Sequence, residues 1–178
     1  RQYLAHAPSR ADILSVFCGI RPLVRAGDSA NTAALSRDHT IKIEESGLIT
    51  IVGGKWTTYR HMAEDCVNQA ATLAKLDERP CATRTLNVHG FHLNAEKFGD
   101  LESYGSDAKE IQELIRREPA LDARLDNDLP YREAEVVWAA REEMARTLDD
   151  VLARRTRALF LNAGAALRMA PRAAALLA

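Results

Sequence analysis

Leu48-Ile49-Thr50-Ile51-Val52-Gly53-Gly54-Lys55-Trp56-Thr57-Thr58-Tyr59-Arg60 is the stretch on which the reading of this chain turns. Five residues, four of them aliphatic, read as a strand, continuous enough in their apolar character to be central and buried on both faces. Two glycines follow at once. From Thr57 or Thr58 to about Leu76 the period changes to that of a helix, with Met62, Ala63, Cys66, Val67, Ala70, Leu73 and Ala74 at three- and four-residue steps. A strand that meets Gly-Gly and then a helix lets backbone approach a ligand closely. The first amides of a helix lack acceptors within it and favour negative charge. Lys55 adds a full positive charge, and Thr57 and Thr58 add hydroxyls. The arrangement suits a phosphate or the pyrimidine edge of a flavin, and it equally suits an unliganded strand–turn–helix junction.

Upstream, Thr40-Ile41-Lys42-Ile43-Glu44 alternates polar and apolar side chains, so a half-exposed strand is expected to pair with 48–52 as a hairpin across Glu45-Ser46-Gly47. Ile13 to Ile20 reads as a further buried strand, stopped by Arg21-Pro22, and Val24 to Ser36 reads as a loop. A short strand is expected at Thr85 to Val88. After Ser106 the pattern is helical only. Ser106 is placed to cap a helix over Asp107 to Glu118, which Pro119 ends. Pro130 is placed to begin a helix over 131–147, and Asp149 and Asp150 stand near the start of another. A helix is expected from Arg155 to Met169, and Pro171 is placed to open a last short one. Trp138, Met144, Leu152 and Leu159 supply apolar stripes, and Glu142 with Arg146 the expected kind of helix-spaced ion pair. The fold class is therefore α+β. Residues 1–80 are β-rich with one helix, 81–105 form a connector, and 106–178 form an all-α domain.

Composition narrows the function classes. Of 178 residues, 47% are hydrophobic and 28% charged, the balance of a folded protein. A net charge of −1 offers no field for nucleic acid. Three cysteines (Cys18, Cys66 and Cys81) without a CxxC pair fit buried thiols in a reducing compartment rather than disulfides or zinc. His89 and His92 have no third ligand nearby in sequence, so no metal is expected. The chain opens at Arg1 without a signal segment, which suggests an internal fragment of a longer protein.

Two further segments carry chemistry. Cys18-Gly19-Ile20-Arg21-Pro22-Leu23 places Arg21 directly after an apolar run, where clefts form and a guanidinium fork suits phosphate or carboxylate. Ser36-Arg37-Asp38-His39-Thr40 places Arg37 just before a strand. Each alone fits an ordinary solvated arginine.

In this order, FCGIRPL, SRDHTI and VGGKWTTYR resemble the closing part of the FAD-dependent, quinone-linked glycerol-3-phosphate dehydrogenases, within the amino-acid-oxidase-like flavoproteins. Residues 129–161, LPYREAEVVWAAREEMARTLDDVLARRTRALFL, are similar to that family's C-terminal helical domain. The resemblance covers about 150 residues. It implies that Gly53, Gly54, Lys55, Trp56, Thr57 and Thr58 line the isoalloxazine end of FAD, and that Arg21, Arg37 and Lys55 bind substrate. It further implies oxidation of sn-glycerol 3-phosphate to dihydroxyacetone phosphate, with hydride transfer to FAD and electrons passed to a membrane quinone. The implied location is peripheral, on the cytoplasmic face of the cell membrane. Trp56 departs from the smaller aliphatic expected there. No catalytic base is assigned.

The family's GxGxxG dinucleotide fingerprint is absent from all 178 residues. The isolated chain is therefore expected to be inactive, to hold FAD poorly, and to need the upstream part of the same chain. Its unpaired strands are expected to associate between copies. Two other readings stay open: a glycerol-phosphate oxidase using oxygen, and a non-catalytic helical interaction module, for which Gly-Gly-Lys at a strand–helix junction would have no purpose.

Overall fold

The computed structural model describes residues 5–20 and 38–178, in two compact units. One contains the described residues up to Cys18 together with Val88–Ala178; the other lies within Gly19–Asn87. The α+β class holds: the described residues form one small antiparallel sheet and otherwise helices and connecting turns.

In the second unit, β1 (His39–Ile43) and β2 (Ile49–Gly53) form the expected hairpin, with His39 opposite Gly53, Ile41 opposite Ile51 and Ile43 opposite Ile49. The Glu44 amide donates to Leu48 O at 3.0 Å and the Gly47 amide to Glu44 O at 2.9 Å. Gly47 takes φ +85°, open to glycine at little cost. β2 is not central or buried on both faces as its composition suggests. Ile49 to Val52 are only half-buried, because among the described residues β2 has a strand neighbour on one side alone. A 3₁₀ turn (Trp56–Thr58) leads into α1 (Tyr59–Leu73), whose inner face carries Met62, Asp65, Cys66 and Ala70. The helix stops at Lys75, which adopts a left-handed φ of +53° while the Lys75 and Leu76 amides bond back to Thr72 O and Ala71 O.

Among the described residues of the other unit the regular structure is helical apart from a single bridge between Arg124 and Arg132. A 3₁₀ stretch (Ala95–Asp107), kinked at Gly99 and Gly105, runs into α2 (Ala108–Arg117); a 3₁₀ turn (Pro119–Asp122) follows. Then come α3 (Glu133–Arg141), a π-helical turn (Asp150–Arg155), α4 (Ala158–Leu161) and α5 (Ala163–Leu177). Its interior is two apolar clusters that share α3. Val136 and Ala139 pack with Val151, Leu152, Ala165 and Met169. Ala134 and Val137 pack with Leu101, Ala108, Ile111 and Leu121. Alanines at these contacts let helix axes approach closely. Bidentate pairs close the outside: Arg172 holds Glu133 at 2.7 and 2.6 Å, and Arg168 holds Asp126 at 2.7 and 2.8 Å.

Several sequence expectations are corrected here. Residues 13–20 form no strand. Instead the Ala163 amide donates to Leu14 O at 3.0 Å, Ser15 Oγ donates to Leu159 O at 2.7 Å, and Phe17 sits edge-on to Phe160. No strand forms at 85–88 either. Ser106 lies inside the 3₁₀ stretch, and Asp107 precedes α2. The helix expected over 131–147 runs only from Glu133 to Arg141, because Met144 turns left-handed at φ +62° and sends the Ala145 amide back to Ala139 O. Pro130 therefore lies outside it, and Glu142 and Arg146, no longer on one helix, make no pair. The expected 155–169 helix is broken by left-handed Arg157 and by Asn162, which caps α5 through Oδ1 to the Ala165 amide at 3.0 Å. Pro171 does not start a helix but sits within α5, and Leu167, whose carbonyl would have met its missing N–H, is exposed. Met144 and Leu159 are exposed rather than core.

Candidate functional site

The hairpin and α1 converge on Gly53–Thr58. Gly53 and Gly54 both adopt left-handed backbone, φ +80° and +82°, which reverses the chain between the end of β2 and the start of the helix. Gly54 has a second reason to be glycine: a Cβ there would run into the thioether of Met62 and meet His39 Cβ at 3.4 Å. Lys55 is extended, and the 3₁₀ turn after it is closed by Thr58. The Lys55 amide donates to Thr58 Oγ1 at 3.3 Å, Thr58 Oγ1 donates to Lys55 O at 3.0 Å, and the Thr58 amide donates to the same carbonyl at 3.0 Å.

The side chains divide by what they have left to offer. The Thr58 hydroxyl is consumed by the turn. The Lys55 ammonium and the Thr57 hydroxyl have no partner among the described residues, and both side chains are exposed. Trp56 is 86% exposed and stacks on Tyr59, ring centroids 5.3 Å apart and planes 25° from parallel. Behind the turn lies a polar cluster that sequence reasoning missed. His39 Nε2 is 2.8 Å from Asp65 Oδ2, and His61 Nε2 is 3.5 Å from the same oxygen. The imidazoles of His39 and His61 stand edge to face at 5.8 Å. Beside it on the same helix, Arg60 donates to Glu64 at 2.8 Å, and that bond holds the Glu64 carboxyl below its ordinary range. Arg60 also donates to Thr83 Oγ1 at 3.2 Å.

Arg21 and Arg37, expected to join Lys55 on one cleft, lie outside the described residues. Among the described residues no group of three His, Cys, Asp or Glu side chains could hold a metal ion. A concavity of about 900 Å³ in this unit lies toward the other end of α1, lined by Val67, Asn68, Thr72, Leu76 and Pro80.

The turn fits the electron-rich edge of a flavin in its chemistry. It offers a cation and a hydroxyl that have no partner among the described residues, at the head of a helix. Lys55 and Thr57 are the side chains able to touch such a group. Gly53 and Gly54 turn the chain with left-handed backbone, and Thr58 closes the turn.

Comparison with known proteins adds the following. Residues 48–178 match the family model for the C-terminal domain of alpha-glycerophosphate oxidase. The chain is 40% identical to the mitochondrial glycerol-3-phosphate dehydrogenases of Rattus norvegicus and Homo sapiens, over 92% of its own length and 25% of theirs. It is 35% identical to the mitochondrial glycerol-3-phosphate dehydrogenase of Arabidopsis thaliana, over 99% of its length and 33% of the relative's. The chain thus spans about a quarter to a third of these relatives. No solved structure matches.

Proposed function

The chain belongs to the family of the C-terminal domain of alpha-glycerophosphate oxidase, and from that premise we propose that it is one part of an enzyme oxidising sn-glycerol 3-phosphate to dihydroxyacetone phosphate. FAD, when bound, would accept the hydride from C2 of the substrate and deliver electrons to a membrane quinone. Within that enzyme, residues 1–80 would belong to the substrate and FAD-binding domains, 81–105 to a connector, and 106–178 to the helical domain. Relatives 35–40% identical to this chain share the name of the activity; the site itself carries the reading for this chain.

The observation that carries it is the pair of left-handed glycines delivering Lys55, without a partner among the described residues, to the head of α1. An exposed ammonium on a rigid turn supplies positive charge where electron density accumulates as a flavin is reduced, without reorganising at the moment of reaction. Thr57 donates a hydrogen bond beside it. Trp56 stacks on Tyr59 beside it. Arg21 and Arg37 add charge for the substrate phosphate. The enzyme is proposed to be peripheral on the inner face of the cell membrane; among the described residues no helix is long and apolar enough to cross one. The relatives' names place them in mitochondria. The family description names an oxidase, which favours oxygen as the second reading for the acceptor.

The test is to express this chain with the region that precedes it in the longer protein and to add sn-glycerol 3-phosphate anaerobically. Bleaching of the flavin absorbance is expected, with re-oxidation by a quinone analogue faster than by oxygen. A flavin that stays oxidised would overturn the reading, and re-oxidation by oxygen alone would move it to the oxidase. The 178 residues by themselves, without the pyrophosphate-binding fingerprint, are expected to leave FAD fluorescence unchanged on titration.

A further inference from the structure

His39 joins three parts of the second unit at one point. Its backbone faces Gly53 in the β1–β2 ladder. Its Cβ lies 3.4 Å from where a Gly54 side chain would begin. Its Nε2 lies 2.8 Å from Asp65 Oδ2 on α1. A carboxylate only accepts, so Nε2 must carry the hydrogen, which fixes either that tautomer or the imidazolium. The contact is partly shielded: the side chains are 17% and 34% exposed. A hydrogen bond to a charged acceptor in such a place is among the stronger single interactions a protein makes.

We infer that His39 and Asp65 are positioning residues for the Gly53–Gly54–Lys55 turn: their hydrogen bond ties the hairpin to α1 directly behind the glycines and so fixes where Lys55 is presented. Two consecutive glycines are the most freely rotating link a backbone can contain. The ladder holds the turn on one side, and the Thr58 hydroxyl closes it on the other. Neither fixes the angle between β2 and α1. The His39–Asp65 bond does, since it spans from strand to helix across the link. Met62, against Gly54, fills the remaining space but exerts no directional hold. His61 lies perpendicular to His39 on the same carboxylate oxygen and limits how far Asp65 can swing.

The importance of the turn rests on the proposed cofactor-facing role of Lys55. The experiment uses no cofactor, so its failure leaves that reading standing, and failure of substrate oxidation leaves the positioning intact. The 178-residue chain is labelled with ¹⁵N, and the Gly53 and Gly54 amide resonances and hydrogen exchange at the Lys55 amide are followed in three variants. His39→Asn cannot reach Asp65. His39→Gln carries an N–H₂ donor near the place of Nε2. Asp65→Leu is of similar size and has no acceptor. His39→Asn and Asp65→Leu are expected to move both glycine resonances and to speed Lys55 exchange roughly 10-fold or more, the range for losing a charge-assisted hydrogen bond. His39→Gln is expected to restore parental behaviour. If His39→Asn unfolds the unit, the Asp65→Leu and His39→Gln comparison decides alone. Parental glycine resonances in Asp65→Leu, or a His39→Gln variant as disturbed as Asp65→Leu, would overturn the inference.

Discussion

The Tyr104 hydroxyl donates to Glu135 Oε1 at 3.1 Å inside the helical unit, where the glutamate is 1% exposed. The other oxygen of Glu135 accepts from the Arg132 amide at 2.6 Å. Burial outweighs both donors and pushes the Glu135 carboxyl up to about 7. The same burial, reinforced by the Glu135 charge, pushes the Tyr104 phenol upward.

Stability should therefore fall with pH across this range. Below the ordinary carboxyl value of 4.5, folded and unfolded states both hold the proton. Between 4.5 and about 7 the unfolded chain releases it while the folded chain keeps it, so unfolding gains ground; above 7 the loss is complete. The full effect is about 3 kcal/mol by linkage. Urea denaturation of the parent from pH 4.5 to 8 should show this decline, and Glu135→Gln should flatten it. An equal slope in the variant would assign the dependence to other groups.

Gly105→Ala should be among the most damaging small substitutions. Gly105 sits at φ +54°, ψ −120°, and a Cβ there would collide with the carbonyl of Gly90, a backbone atom that cannot turn aside. The Gly90 carbonyl also accepts from the Ser106 amide at 2.9 Å. Strain and overpacking together predict a loss of ~2–4 kcal/mol. Chemical denaturation measures it, and a midpoint within error of the parent would refute it.

Lys75→Gly should stabilise the chain. The residue ends α1 in a left-handed conformation that costs an L-residue ~1–2 kcal/mol and glycine little. Greater freedom of glycine in the unfolded chain offsets part of that, leaving a gain of up to about 1 kcal/mol. A lowered melting temperature would show that the Lys75 side chain contributes something beyond its backbone.

Lys55→Ala, made in the longer enzyme, should slow flavin reduction by glycerol 3-phosphate with little change in thermal stability, since the ammonium has no partner among the described residues. Loss of one preorganised charge typically costs ~2.7–4 kcal/mol in the transition state, or about 10²–10³ in rate. Stopped-flow reduction at the parental rate would remove Lys55 from the chemistry.

Sequence revealed those parts of the fold that local chemistry enforces. Alternation at Thr40–Glu44, the aliphatic run before Gly53 and the helical period after Thr58 gave the hairpin and α1 within a few residues. The breaks in the helical unit were hidden because Met144 and Arg157 turn left-handed without being glycine, held there by packing around Ala145 and Ala158 that no local pattern announces. Ile13–Ile20 reads as a strand by composition, but a strand also needs a partner, and composition does not say whether one is present. At the site, the Gly-Gly-Lys turn was legible from its glycines. The His39–Asp65 bond was not, because its residues stand 26 apart and the expected strand began at Thr40, one residue after His39.

Val136 and Val137 are neighbours in sequence that answer to opposite sides of the helical unit, one in each apolar cluster. Successive residues on a helix point about 100° apart. Turning α3 by a single step would carry Val137 out of its cluster, draw Glu133 away from Arg172, and swing Glu135 off Tyr104. The helix is thus pinned about its own axis by constraints on several sides at once. It has no neighbouring orientation to slip into, and it serves as the fixed shaft around which α2 and α5 are set.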